Sequence, residues 1–134
     1  MDSHKDAAAV VEAISWAILN LTNNTAKNQS KFGVSGCCEL LTRVLELHKD
    51  APAVVEAISW AIRNLTYNSV ENQSKFGVSG CCELLTRALD LHKDAPAVAK
   101  AISWAIRNLT SNSAQNIYWF GASGCCELLT RVLD

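Results

Sequence analysis

Apolar and polar residues follow each other along this chain with a helical period rather than the two-residue period of a strand. Between Asp50 and Leu65, the apolar residues Val54, Ile58, Ala61, Ile62 and Leu65 fall three or four positions apart and form one face, the pattern of an amphipathic helix. Asp50 is a candidate N-cap, and Pro52 falls in the first turn, where its missing N–H removes no intrahelical bond. Thr66, Asn68 and Ser69 end the pattern. A shorter helix is expected over residues 70–76, followed by a corner at Gly77-Val78-Ser79-Gly80, where glycine supplies the backbone freedom a sharp turn needs. A third helix is expected over residues 81–91. It carries Cys82, Leu84, Leu85, Ala88 and Leu89 on its apolar side and Glu83, Thr86 and Arg87 on the other.

The whole pattern recurs. His4-Lys5-Asp6 returns as His48-Lys49-Asp50 and as His92-Lys93-Asp94, a period of 44 that divides residues 3–46, 47–90 and 91–134 into three in-phase units. The first two units agree at 35 of 44 positions and the last two at 34 of 44, far closer than a long-diverged natural array, which points to recent amplification, consensus derivation or engineering. Three helices per unit and this period predict one all-α domain over residues 1–134, an α-solenoid in which no unit buries its own apolar face alone.

Composition narrows the function classes. The chain has 134 residues, enough to bury about two thirds of the surface it exposes when unfolded. Twelve basic and thirteen acidic residues leave a net charge of −1, so no broad positive field draws in nucleic acid or anionic lipid. No apolar run approaches the ~20 residues of a membrane span, and the first residues lack the charged-then-apolar pattern of a secretory signal. The expectation is a soluble chain without a nucleic-acid or membrane partner.

The order of a Trp-bearing long helix, a short helix, a corner glycine and an amphipathic helix resembles the armadillo repeat, phased to begin at that repeat's third helix. The resemblance covers essentially the whole chain. Its sharpest element is Trp-x-x-x-Asn, at Trp16/Asn20, Trp60/Asn64 and Trp104/Asn108. It implies a right-handed superhelix. In the family's peptide-binding branch, the corresponding Asn side chains grip the backbone of an extended peptide in a concave groove, and the Trp side chains form slots for its side chains. The chain departs from the family in its 44-residue unit, its paired cysteines and its lack of dedicated polar caps.

Independently of the resemblance, Glu56, Trp60, Arg63, Asn64 and Tyr67 lie three or four apart on a face away from Val54, Ile58 and Ile62, and are expected to be exposed. A rigid Trp surface beside Asn donors and acceptors suits a guest strand; equally, Trp packs on its counterpart in the next unit while Asn satisfies the end of the helix. Much of the variation between units falls on this stripe. Glu12 and Glu56 become Lys100, Leu19 becomes Arg63 and Arg107, and Asn23 becomes Tyr67 and Ser111. Such clustering points to tuning for a partner, with surface drift as the alternative.

The third unit carries a larger change. Gln29-Ser30-Lys31 and Gln73-Ser74-Lys75 become Ile117-Tyr118-Trp119, while Val55 becomes Ala99 and Val78 becomes Ala122. A terminal repeat normally needs a polar outer face, so these apolar groups read as an interface, or as a cover folded back over the last unit's core. The expected self-association surface is Ile117, Tyr118 and Trp119 with Ala99 and Ala122, met by Leu19 and Tyr67 of a partner copy.

The cysteines occur as Cys37-Cys38, Cys81-Cys82 and Cys125-Cys126, a spacing that suits core filling and neither a zinc site nor an easy disulfide. Reduced thiols imply a reducing, cytoplasmic-type compartment. His4, His48 and His92 recur near helix starts and suit capping or solvent contact more than metal binding. No nucleophile–base motif or phosphate-binding loop is present, so neither an enzyme nor a cofactor is expected. Asn20-Leu21-Thr22 and its repeats match the glycosylation sequon, read as coincidence without a signal sequence. Two functions follow as expectations. The first is a scaffold that self-associates into a symmetric oligomer, a dimer by default. The second is a module holding an extended peptide along Trp16, Asn20, Glu56, Trp60, Arg63, Asn64, Lys100, Trp104, Arg107 and Asn108.

Overall fold

The computed structural model describes residues 7–134, which form nine α-helices and no strand. They are α1 (Ala8–Leu21), α2 (Ala26–Val34), α3 (Cys37–Leu47), α4 (Pro52–Thr66), α5 (Val70–Val78), α6 (Cys81–Leu91), α7 (Pro96–Thr110), α8 (Ala114–Ala122) and α9 (Cys125–Leu133). Helices at equivalent sequence positions pack on one another: α4 lies between α1 and α7, α5 between α2 and α8, and α6 between α3 and α9. The middle unit is therefore covered on both sides. Ile58, Ile62, Leu65, Phe76, Leu85 and Leu89 are all fully buried there, each worth about 1.5–3 kcal/mol against exposure.

Local chemistry sets the helix ends. Pro52 occupies the first turn of α4 as expected, but the N-cap is the extended Ala51 rather than Asp50, and it makes no side-chain capping bond. Ser69 and Ser113 cap α5 and α8 by accepting from the backbone N–H groups of Asn72 and Asn116. The short helix runs to Val78, two residues past its expected end, so Gly77 is a helical residue. The corner falls on Gly80, whose φ of 87° lies in the left-handed region that favours glycine, and α6 begins at the next residue. Gly77 answers a different need: a Cβ there would collide with the Asn116 side chain and with the Trp119 ring.

Two further expectations are corrected. Thr86 is buried rather than on an outer face, and its hydroxyl donates to the Cys82 carbonyl of its own helix, 2.9 Å away. His48 and His92 stand at the C-caps of α3 and α6, not at helix starts, and His92 Nε2 donates to the Lys49 carbonyl at 2.7 Å. His4 lies outside the described residues.

Candidate functional site: the Trp–Arg stripe and the two end faces

The Trp and Asn positions of the long helices behave differently from each other. Trp16, Trp60 and Trp104 are half-buried. The Arg63 guanidinium sits between two of them, 5.8 Å from the Trp60 ring and 5.1 Å from the Trp104 ring, and Arg107 lies 5.2 Å from Trp104. These distances fit cation–π contact. Leu19 holds the equivalent position in the first unit, so the stack begins at the second. Glu56 is half-buried and Lys100 exposed, on the same stripe.

The Asn side chains are less exposed than expected: Asn64 and Asn108 are 8% and 3% exposed. Each spends its amide on the preceding unit: Asn64 Nδ2 donates to the Leu19 carbonyl at 2.9 Å, and Asn108 Nδ2 to the Arg63 carbonyl at 2.8 Å. Those carbonyls lie in the last turn of a helix, where no intrahelical N–H reaches them. Their Oδ1 atoms accept from Arg63 and Arg107, at 3.1 and 3.5 Å. Asn20, with no described unit before it, is exposed.

A second polar clasp crosses each junction from the short helices. Asn72 Nδ2 donates to the Leu65 carbonyl of its own unit and to the Gln29 carbonyl of the first, and Asn116 Nδ2 repeats this with Leu109 and Gln73. In the opposite direction, Gln29 Nε2 reaches the Asn64 and Tyr67 carbonyls, and Gln73 Nε2 reaches Ser111 Oγ. Lys75 Nζ donates to the Gly33 carbonyl at 2.9 Å.

The expected self-association residues divide accordingly. Ile117 and Tyr118 are 56% and 70% exposed. Trp119 is not part of that exposed patch: it takes the place of Lys75 and lies against Gly77 of the second unit, half-buried on the core. Ala99 is buried, because its position faces the core as Val11 and Val55 do, whereas Ala122 is exposed. Tyr67 is exposed and Leu19 half-buried, and the carbonyl of each accepts one of the inter-unit bonds.

Cys38, Cys81, Cys82 and Cys125 are buried, Cys37 is half-buried and Cys126 exposed. Burial drives the Cys38 and Cys82 thiols up to about 12, with the neighbouring cysteines adding to the rise, and the Cys37 thiol up to about 11. Burial raises Cys81 and Cys125 as well. These are core-filling thiols with little thiolate character near neutrality.

The positions that sequence reasoning missed are the outward face of the first unit. Ile14, Leu21 and Leu40 are more than half exposed there, at 51%, 53% and 53%, and an apolar groove of about 400 Å³ runs between Ile14, Phe32 and Leu40. The signal lay in the repeat itself, because a position buried by a preceding unit has no described unit to cover it in the first. No helix among the described residues is long and apolar enough to cross a membrane. No protein-family model, curated protein or solved structure matches the chain.

Proposed function

We propose that this chain is a non-enzymatic scaffold of armadillo-like units, wound as a right-handed superhelix, whose role is to associate with further copies of itself. The observation that carries this reading is the exposure of Ile117 beside Tyr118 on α8. Gln29 and Gln73, at the position of Ile117, are 7% and 0% exposed because another unit covers them, whereas Ile117 is 56% exposed. A large apolar side chain at a position built to be covered favours a covering partner. The test compares the parent with an Ile117→Glu/Tyr118→Glu variant by light scattering over a dilution series. Both positions are exposed, so the variant retains the helical fold. It is expected to be monomeric where the parent is not, and equal masses for the two would refute the role of this face.

A second reading, a module for an extended peptide, draws support from the half-exposed row of Trp16, Trp60 and Trp104 interleaved with Arg63 and Arg107. With Asn64 and Asn108 committed to the preceding units, such a peptide would be held through its side chains. Titration of extended peptides against tryptophan fluorescence tests it, and an unchanged signal at millimolar peptide would exclude it.

A further inference from the structure

We infer that the uncovered face of the third unit receives the first unit of another copy, so that copies add head to tail in the register that joins the units within one chain. This rests on the self-association reading above and replaces its default two-fold contact with a heterologous one.

The two faces are the halves of a junction that the chain already makes twice. On the first unit, Ile14, Leu21 and Leu40 are exposed; their equivalents Ile58, Leu65 and Leu84 are 0%, 0% and 3% exposed against the first unit, and Ile102, Leu109 and Leu128 are buried against the second. Each of these three positions holds the same residue in all three units. On the third unit, Cys126, Leu129, Thr130 and Leu133 repeat Cys82, Leu85, Thr86 and Leu89 without change. Leu89 is fully buried by the following unit, and Leu133 is 89% exposed.

The polar groups match as well. Asn28 Nδ2 already donates to the Leu21 carbonyl at 2.7 Å, the within-unit half of the clasp that Asn72 and Asn116 complete by crossing to Gln29 and Gln73. On an incoming copy, the crossing half would go to the Ile117 carbonyl. Asn20 Nδ2 would reach the Arg107 carbonyl, as Asn64 reaches Leu19 and Asn108 reaches Arg63. Lys31 Nζ would take the Gly121 carbonyl, as Lys75 takes that of Gly33.

Gly121 supplies the independent observation. Gly33 and Gly77 are required by the next unit, because a Cβ on either would collide with the side chain of Asn72 or Asn116. Gly121 is a helical residue with open space around its Cβ position and no positive φ. Alanine would stabilise the helix at that point, so nothing among the described residues calls for glycine; Asn28 of a following copy does. The junction differs from the internal ones chiefly at Ile117, which has no donor to give the Asn20 and Asn23 carbonyls of the incoming copy, where Gln29 supplies one to those of Asn64 and Tyr67. A heterologous contact of this kind continues until the array closes as a ring or extends as a filament.

The experiment uses three forms of the 134-residue chain: the parent, Gly121→Ala, which spoils only the third unit's face, and Leu40→Glu, which spoils only the first unit's. Sedimentation is measured for each alone and for an equimolar mixture of the two variants. Head-to-tail addition predicts that the parent assembles beyond a monomer, that each variant alone associates at least 10-fold more weakly, and that the mixture forms a 1:1 pair through its one intact pair of faces. Thermal melts at dilutions where the parent is a single chain are expected to show Gly121→Ala at least as heat-resistant as the parent, and Cys126 of the parent is expected to label quickly when dilute and slowly when assembled. Variants that assemble like the parent, or a mixture that fails to pair, would overturn the head-to-tail register while leaving self-association standing. A parent that is monomeric throughout would remove both readings.

Discussion

Asn64 Nδ2 donates to the backbone carbonyl of Leu19 across 2.9 Å and 45 residues of sequence, and so ties the end of one long helix to the helix that follows it in the array. Asn108 repeats the bond to Arg63. The side chain that resembles a peptide-gripping group serves here to join one unit to the next.

Replacement of Asn64 by Ala is therefore expected to lower unfolding free energy by about 0.5–1.5 kcal/mol, since it removes the shorter of two bonds to the part-buried Leu19 carbonyl and leaves that from the Thr22 hydroxyl at 3.3 Å. Asn108→Ala should behave alike, and Asn20→Ala, altering an exposed side chain, should cost under about 0.5 kcal/mol in the dilute chain. Urea denaturation measures all three. Equal stability of the Asn64→Ala variant and the parent would contradict the inter-unit role.

The glycines offer a sharper contrast. Gly77→Ala must displace the Asn116 side chain, which is 1% exposed and holds two carbonyls, so a loss of about 1–3 kcal/mol is expected. The chemically identical Gly121→Ala is expected to be neutral or to stabilise the dilute chain by up to about 1 kcal/mol. Melting temperatures moving in the same direction by the same amount would contradict the packing described here.

Much of this architecture is legible in the sequence, and the parts that are not have a common physical cause. Periodicity within one unit places α6 with its ends at Cys81 and Leu91 as the structure has them, because the apolar stripe and the glycine before it are local signals. The burial of Asn64 and Thr86 is not local. Each occupies a polar position on its own helix and is buried through the neighbouring helices that supply or surround its hydrogen bonds. Trp119 shows the same limit: it reads as exposed beside Tyr118, but its ring lies over Gly77, 42 residues earlier in the chain. The exposed patch at Ile117 and Tyr118 is legible in the sequence, though Trp119 does not join it, while the exposed face at Ile14 and Leu40 follows only from which unit has no described unit before it.

Arg63 between Trp60 and Trp104 should be visible optically. Arg63→Leu, which copies the residue at position 19, removes two cation–π contacts and is expected to cost about 1–2 kcal/mol while changing the tryptophan emission. Arg107→Leu removes one such contact and should have the smaller effect on both. An unchanged emission spectrum in Arg63→Leu would show that the stack does not persist in solution.

Alkaline pH tests the buried thiols. Their protonation constants are raised in the folded chain, so the unfolded chain loses these protons first and folding becomes less favourable as pH rises. The stabilisation is fully present below the ordinary thiol range, about 8.5, and is lost between there and about 12, at up to about 1.4 kcal/mol per pH unit for each buried thiol. A Cys38→Ala/Cys82→Ala variant is expected to flatten that slope in denaturation curves taken from pH 8 to pH 10. An unaltered slope would mean that the thiols are not held neutral by burial.

The most direct test of the central claim is the mass of the parent chain in solution, followed by light scattering from high concentration down to the nanomolar range. Self-association predicts multiples of 14.5 kDa at high concentration that fall toward a single chain on dilution. A constant 14.5 kDa across the whole range would contradict it.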